Sequence, residues 1–186
     1  MKNNKITKED FVHVVEESKE LLFRLSYSIL KDVSDAEDAV SEAVLKAWER
    51  RGQVREKENL RSWLIKIVIN SSRSMRSKRE RMRLFQMKPH VIPDKKGPSG
   101  QGDIWSFITE MKEKHKTVLL LYYYAEYSVR EIAKMLHVPE GTVKSRLSRA
   151  REELKQLLIQ SEYRTETGNQ EKRKKGQGEK GHGENE

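Results

Sequence analysis

The sequence predicts an all-α protein made of two small helical domains joined by a flexible linker, with a helix-turn-helix in the C-terminal domain. Apolar residues recur at helical spacing through much of the chain, for example at Leu21, Leu25 and Ile29. Only 35% of the residues are hydrophobic, so two small units fit better than one large core. Three prolines and three glycines fall within residues 88–102, which is the composition of a linker.

These observations divide the chain into an N-terminal helical domain at residues 1–87, a linker at 88–103, a helix-turn-helix domain at 104–160 and a tail at 161–186. The tail holds five of the ten glycines and almost no apolar residue, so we expect it to be disordered. Its six basic and six acidic residues cancel, and the net charge of +9 therefore belongs to the rest of the chain.

Three helices are predicted in the N-terminal domain. The first covers residues 11–30, and the second begins with a capping box formed by Ser34 and Glu37 and continues to Trp48. The polar segment 49–59 has no apolar period and reads as a loop. A long helix then begins with LRSWLIKIVIN, and its far end is basic.

The C-terminal domain is also predicted to be helical. A short helix covers residues 104–111, and the apolar stretch KTVLLLYYYAEY is interpreted as helix because its flanks are helical and no partner strand is available. Ser128 and Glu131 form a second capping box, which opens SVREIAKML. The turn HVP follows, with His137 where such turns often have glycine, and a longer helix begins near Pro139.

Composition narrows the function classes. The chain has no cysteine, which excludes disulfides, thiolate catalysis and Cys-ligated zinc. The five histidines show no metal spacing, and no nucleophile motif or phosphate loop is present, so we expect neither an enzyme nor a cofactor nor a small-molecule substrate. No apolar run approaches the roughly 18 residues of a membrane span, and we expect a soluble, cytoplasmic protein.

The last predicted helix carries the clearest functional signal. Val143, Leu147, Ala150 and Leu154 form one apolar seam. If that seam packs on the preceding helix, the side chains facing outward are hydrogen-bond donors suited to base edges and phosphates: Lys144, Ser145, Ser148 and Arg149, with Arg146 and Arg151 at the flanks. A helix of this kind after a short turn is typical of a major-groove reader.

Two further segments are sorted by charge. Residues 73–83 carry six cations against Glu80, which suits contact with a phosphate backbone. Residues 32–45 carry five acids and no base. Acids near a helix N-terminus favour its dipole, but Glu42 and Leu45 lie beyond that explanation. An acidic face with an apolar spot would repel DNA and could dock on a protein.

These three elements, in this order, resemble the extracytoplasmic-function (ECF) class of bacterial sigma factors over about residues 8–160. SDAEDAVSEAVLKAW resembles the family's core-polymerase-binding helix, and LRSWLIKIVIN its promoter-melting helix. SVREIAKMLHVPEGTVKSRLSRAREEL resembles its C-terminal helix-turn-helix.

The resemblance implies three sets of site residues. The set for docking on the polymerase is Asp35, Asp38, Ser41, Glu42, Leu45 and Lys46. The set for engaging the minus-ten element is Arg55, Asn59, Arg61, Lys66, Asn70, Arg73 and Arg76. The set for reading the minus-thirty-five element is Thr142, Lys144, Ser145, Arg146, Ser148, Arg149 and Arg151.

The partners implied by the resemblance are core RNA polymerase, promoter DNA and a membrane-bound anti-sigma factor. One alternative remains at this point, which is a helix-turn-helix regulator that binds operators without joining polymerase. That alternative would leave the acidic segment 32–45 unexplained.

Overall fold

The computed structural model describes residues 5–86 and 104–178, and describes side chains for 5–84 and 104–161. The predicted all-α class is confirmed in these ranges. The α-helices are α1 (Lys8–Leu30), α2 (Val33–Arg50), α3 (Leu60–Gln86), α4 (Ile104–Glu110), α5 (Glu113–Leu119), α6 (Val129–Leu136) and α7 (Glu140–Gly178). The predicted linker at 88–103 lies outside the described residues.

α1, α2 and α3 form the N-terminal unit and pack pairwise against one another. The small face of α2 is completely buried at Ala36, Ala39, Ala43 and Ala47, so α1 and α3 can approach its backbone closely. From α3 the buried side chains are Leu60, Leu64, Ile65, Val68 and Ile69. Trp63 and Ile67 of the same helix are only half-buried.

The start of α2 differs from the sequence prediction. Its N-cap is Asp32, whose Oδ1 accepts a hydrogen bond from the backbone N–H of Asp35 at 2.9 Å. The predicted capping box of Ser34 and Glu37 is therefore wrong, and both residues are exposed. Aspartate makes the same capping bond as serine and adds a negative charge at the positive end of the helix.

The segment predicted to be a loop, residues 49–59, contains short helical turns and is not irregular throughout. α2 extends to Arg50, and 3₁₀ turns follow at Arg51–Gln53 and Lys57–Asn59. Val54 between them is 8% exposed and belongs to the core of the unit. This apolar anchor fixes the loop at one point while its polar residues face outward.

The C-terminal unit consists of α4 to α7. The apolar stretch predicted as helix is helical, with α5 followed by a π-helical turn at Leu120–Tyr124. The predicted capping box of Ser128 and Glu131 opens α6. His137 ends α6 with a left-handed backbone, φ 52°, and its N–H donates to the carbonyl of Ala133.

A pair formed by buried His115 and half-buried Glu153 joins α5 to α7. Nδ1 of His115, in a side chain that is 6% exposed, lies 2.5 Å from Oε2 of Glu153. The other carboxylate oxygen of Glu153 accepts the backbone N–H of Lys112 at 3.0 Å. One α7 carboxylate therefore holds the start of α5 in place.

The two units contact each other through α1 and α5 and through α3 and α6. Arg24 of α1 is 5% exposed, and its guanidinium lies 4.6 Å from the centre of the Trp105 ring and 5.2 Å from that of Tyr124. Its Nη2 also lies 2.5 Å from Oε1 of Glu20. The carboxylate and the two ring faces together compensate the desolvation of this cation.

α7 is longer than the sequence predicts, and the part of the expected disordered tail beyond residue 178 lies outside the described residues. The helix continues to Gly178. The segment is rich in Glu, Gln, Lys and Arg, which are good helix formers. Extending a helix that is already packed needs no new nucleation, so a low apolar content does not by itself end it.

Lys116 of α5 is 1% exposed. Its Nζ donates to the carbonyl of Thr109 at 3.1 Å. Burial, together with the positive charges of Lys31 and Arg76, lowers the pKa of Lys116 from its ordinary 10.5 to about 8, although Glu113 acts in the opposite direction. Below pH 8 the protein therefore carries the cost of a buried ammonium.

We predict that Lys116→Met stabilises the protein near neutral pH, because the apolar stem is kept and the buried charge is removed. The gain is about 1–3 kcal/mol. The folded pKa lies below the unfolded one, so the cost of Lys116 is present in full below pH 8 and disappears as pH rises to about 10.5. Urea unfolding of both proteins at pH 7 and pH 10 measures this. A gain that did not shrink at pH 10 would contradict the assignment.

Candidate nucleic-acid and protein interfaces

The first turns of α7 form a recognition segment, residues 140–154, whose two faces are chemically distinct. The predicted seam is buried at Val143, Leu147 and Ala150, and Leu154 is half-buried. α6 and α7 contact each other along this seam. The opposite side exposes the four donors predicted to face outward: Lys144, Ser145, Ser148 and Arg149. The segment therefore offers a polar, cationic face of the width of one helix.

The turn between α6 and α7 sets the angle of the recognition segment. His137 adopts a positive φ, and the N–H of Val138 donates to the Ala133 carbonyl at 3.1 Å. The carbonyl of Pro139 then accepts the N–H groups of Thr142 and Val143. Three residues separate the two helices, as in a helix-turn-helix.

The residues that flank the four exposed donors differ in their exposure and contacts. Arg146 and Thr142 are half-buried. Arg151 is exposed, but its Nε donates to the hydroxyl of Tyr123 at 2.8 Å and its guanidinium lies 5.8 Å from the centre of that ring. Arg151 is thus held toward the π-helical turn, away from the four exposed donors.

The residues predicted for the minus-ten element form a second surface, the minus-ten face. They lie in the segment between the two 3₁₀ turns, in the second 3₁₀ turn and on α3: Arg55, Asn59, Arg61, Lys66, Asn70, Arg73 and Arg76. Arg55, Asn59 and Asn70 are exposed, whereas the four cations on α3 are half-buried. Asn59 Nδ2 donates to the Glu56 carboxylate at 2.8 Å.

The four half-buried cations of the minus-ten face contact the C-terminal unit. Arg73 Nε donates to Oε1 of Glu113 at 2.8 Å, and Arg76 pairs with the other oxygen of the same carboxylate. Lys66 donates to Nε2 of His137. Arg61 lies over the ring of Tyr127, 5.5 Å from its centre.

Glu113 is the acid at the centre of these contacts, with a side chain that is 20% exposed. Burial alone raises its pKa, but Arg73 and Arg76 outweigh burial, and the pKa of Glu113 lies below its ordinary value. Sequence reasoning missed Glu113, Tyr127 and His137 as partners of this face. No periodicity in either unit shows which residues of the other will meet it, so the sequence carried no signal for these pairs.

The acidic face of α2 is the third surface. Asp38, Ser41, Glu42 and Leu45 are exposed, and the Leu45 side chain is 64% exposed. Lys46 pairs with Glu42 at 2.5 Å. Asp35 is half-buried because it pairs with Arg79 of α3, a contact that the sequence did not predict. The face retains a net negative charge around an exposed apolar side chain.

Within the described residues, no group of His, Cys, Asp or Glu side chains is arranged to hold a metal ion. None of the described helices is both long and apolar enough to cross a membrane.

Comparison with known proteins gives consistent matches for both units. The family model described as Sigma-70 region 2 matches residues 14–82, and that of Sigma-70, region 4 matches residues 101–154. The chain is 28% identical to RNA polymerase sigma factor SigV of Bacillus subtilis, covering 86% of this chain and 96% of that protein. It is 30% identical to ECF RNA polymerase sigma factor SigM of Mycobacterium tuberculosis, covering 74% and 71%.

A solved structure is also similar. The sigma factor RpoE of Bartonella quintana, in complex with the anti-sigma factor NepR, matches with a TM-score of 0.69 and 25% identity. The match covers 81% of this chain and 98% of that one.

We predict that Lys144→Ala and Arg149→Ala each weaken binding to a duplex that the protein selects from a random pool, by about 1–3 kcal/mol, since each removes a donor at the groove. Lys19→Ala on α1 removes the same charge from an exposed position outside this segment and serves as the control. Fluorescence anisotropy at fixed salt gives the three affinities. Equal losses in all three variants would show only a general charge effect.

Proposed function

Because this chain belongs to the extracytoplasmic-function (ECF) class of RNA polymerase sigma factors, we propose that its three charge-sorted surfaces divide the work of promoter-specific initiation. As a member of that class the chain is a transcription initiation factor that binds core RNA polymerase and directs it to promoters. Our proposal concerns which residues perform each step. The observation that carries it is the separation of one acidic and two basic surfaces on different helices.

The recognition segment of α7 is the reader of the minus-thirty-five element. A major groove admits one α-helix, and the exposed Lys144 and Arg149 can donate to guanine acceptors. Ser145 and Ser148 on the same face can contact base edges or phosphates. Thr142, Arg146 and Arg151 border this face, and we assign them to the phosphate backbone.

The minus-ten face is the site of promoter opening. Asn70 and Arg73 lie on α3, Asn59 lies in the 3₁₀ turn that precedes it, and Arg55 lies between the two 3₁₀ turns. A row of cations along a helix can follow the phosphates of a separated strand, while the loop offers polar side chains to an unstacked base. α3 is anchored by the buried Leu64 and Val68, so this face is presented on a rigid element.

The acidic face of α2 is the docking surface for core polymerase. Its charge repels DNA and selects a basic partner surface, and Leu45 gives that partner an apolar contact at the centre. Asp38, Glu42 and Ser41 surround Leu45, and Asp35 and Lys46 lie at the border. The operator-binding alternative would have no use for such a surface.

An anti-sigma factor is the third expected partner, in keeping with the similar sigma factor solved in complex with NepR. An apolar groove of about 610 Å³ lies between α4, the π-helical turn and α7. Ile108, Leu120 and Leu158 line it, together with the cations Arg24 and Lys155. An amphipathic helix with acidic flanks fits this chemistry. We place the protein in the cytoplasm with its polymerase, and at the membrane when such a partner is anchored there.

We predict that Asp38→Lys combined with Glu42→Lys lowers affinity for core RNA polymerase at least tenfold, because like charges across an interface cost several kcal/mol. Binding of the same variant to promoter duplex should be unchanged or slightly tighter. Co-migration with core enzyme on gel filtration, followed by transcription from a pool of genomic fragments, measures the loss.

The matched control is Glu16→Lys combined with Glu17→Lys, which makes the same change in charge on the exposed side of α1. Full binding of core enzyme by the α2 variant would place the docking surface elsewhere. Equal loss in both double variants would mean that overall charge, not the acidic face, decides polymerase binding.

A further inference from the structure

We propose that the C-terminal unit masks the minus-ten face of its own chain, with the carboxylate of Glu113 occupying the place of a DNA phosphate. The inference rests on the proposed role of Arg73 and Arg76 in minus-ten binding. It adds an intramolecular competitor that must be displaced before α3 can engage single-stranded DNA. We call the arrangement in which Glu113 binds Arg73 and Arg76 the closed arrangement.

The strongest evidence is that one carboxylate takes two cations. Oε1 of Glu113 accepts from Arg73, and Oε2 pairs with Arg76, so both oxygens are engaged by guanidinium groups. Arg73 and Arg76 lie three residues apart and therefore on the same face of α3. A phosphate presents oxygen acceptors to guanidinium forks in the same way. The pair is also partly shielded from water, because the Glu113 side chain is 20% exposed.

Two other contacts cover the same face nearer the start of α3. Lys66 donates to His137, the left-handed residue of the helix-turn-helix. Arg61 lies over the ring of Tyr127, as an arginine can lie over an unstacked base. The C-terminal unit thus supplies an anion, a ring nitrogen and an aromatic face to side chains that we assign to phosphates and bases.

The closed arrangement has an anchor that lies apart from the proposed DNA contacts. Arg24 of α1 is buried between Trp105 and Tyr124 of the C-terminal unit. Replacing it should loosen the contact between the units without altering any residue of the minus-ten face. The replacement also removes a positive charge. A simple charge effect would therefore weaken DNA binding, whereas loss of masking would tighten it.

Only molecules in the open state can bind DNA through this face. Masking therefore lowers the apparent affinity for DNA in proportion to the fraction of molecules that are open. The competitor is attached to the same chain, so its effective concentration is high and does not fall on dilution. Replacing the Glu113 carboxylate with an amide of the same shape should therefore raise the affinity for single-stranded DNA.

The test compares Glu113→Gln and Arg24→Gln with the wild-type full chain. The probe is a fluorescein-labelled, 20-nucleotide single strand of mixed sequence, and affinity is measured by anisotropy at fixed salt. We expect Glu113→Gln to bind about tenfold more tightly and Arg24→Gln to bind more tightly despite its lost cation. Glu110→Gln, at an exposed position on α4, is the matched control and should not reproduce the gain of Glu113→Gln. Circular dichroism verifies that each variant is folded.

A second measurement follows the distance between the units. The chain has no cysteine, so Ser41→Cys and Gln156→Cys, both exposed, can be labelled as a donor and acceptor pair. Energy transfer should fall in Glu113→Gln and Arg24→Gln and stay unchanged in Glu110→Gln.

The outcomes separate this proposal from the minus-ten assignment. Tighter binding with reduced energy transfer, reversed by adding Arg73→Ala and Arg76→Ala, supports masking. Unchanged affinity in Glu113→Gln overturns masking, and the minus-ten assignment stands if Arg73→Ala still weakens binding. If energy transfer falls but DNA binding does not respond to Arg73→Ala and Arg76→Ala, masking is also overturned. In that case the minus-ten assignment is what has failed.

Discussion

Covering the apolar stripe of each helix is the constraint on which the rest of this structure depends. α2 turns four alanines inward, and the recognition segment turns Val143 and Leu147 inward. With so few apolar residues, α2 and the recognition segment each have one face to bury, and their charged residues lie on the other side. The acidic face of α2 and the cationic face of α7 are therefore products of folding as well as candidates for function.

The sequence predicted those features that depend on interactions between residues close together in the chain. The seam of α7, the capping box of Ser128 and Glu131, and the left-handed His137 follow from spacing and backbone preference within a few residues. The cap of α2 was misplaced because Asp32 and Ser34 are both good caps, and the sequence does not show which one the chain uses. The pairing of Glu113 with α3 could not be predicted, since it joins residues 37 and 40 positions apart.

The paired arginines of α3 explain why its contact with Glu113 of α5 is polar. Arg73 and Arg76 share one helix face, and two adjacent guanidinium groups repel each other unless an anion lies between them. In the closed arrangement that anion is Glu113. On a promoter it would be a phosphate. The face that we propose for DNA is thus predisposed to hold a carboxylate of its own chain when DNA is absent.

The segment from Lys112 to Lys116 connects this contact to the interior of the C-terminal unit. Lys112 and His115 are both held by Glu153 of α7, whereas Glu113 between them points to α3. The bonds to Glu153 lie entirely within the C-terminal unit, so they do not depend on the position of α3. Displacing Glu113 from Arg73 and Arg76 would therefore break this contact between the units while α5 stays bound to α7. The same short segment can serve as a fixed part of the helix-turn-helix unit and as the releasable contact to the minus-ten face.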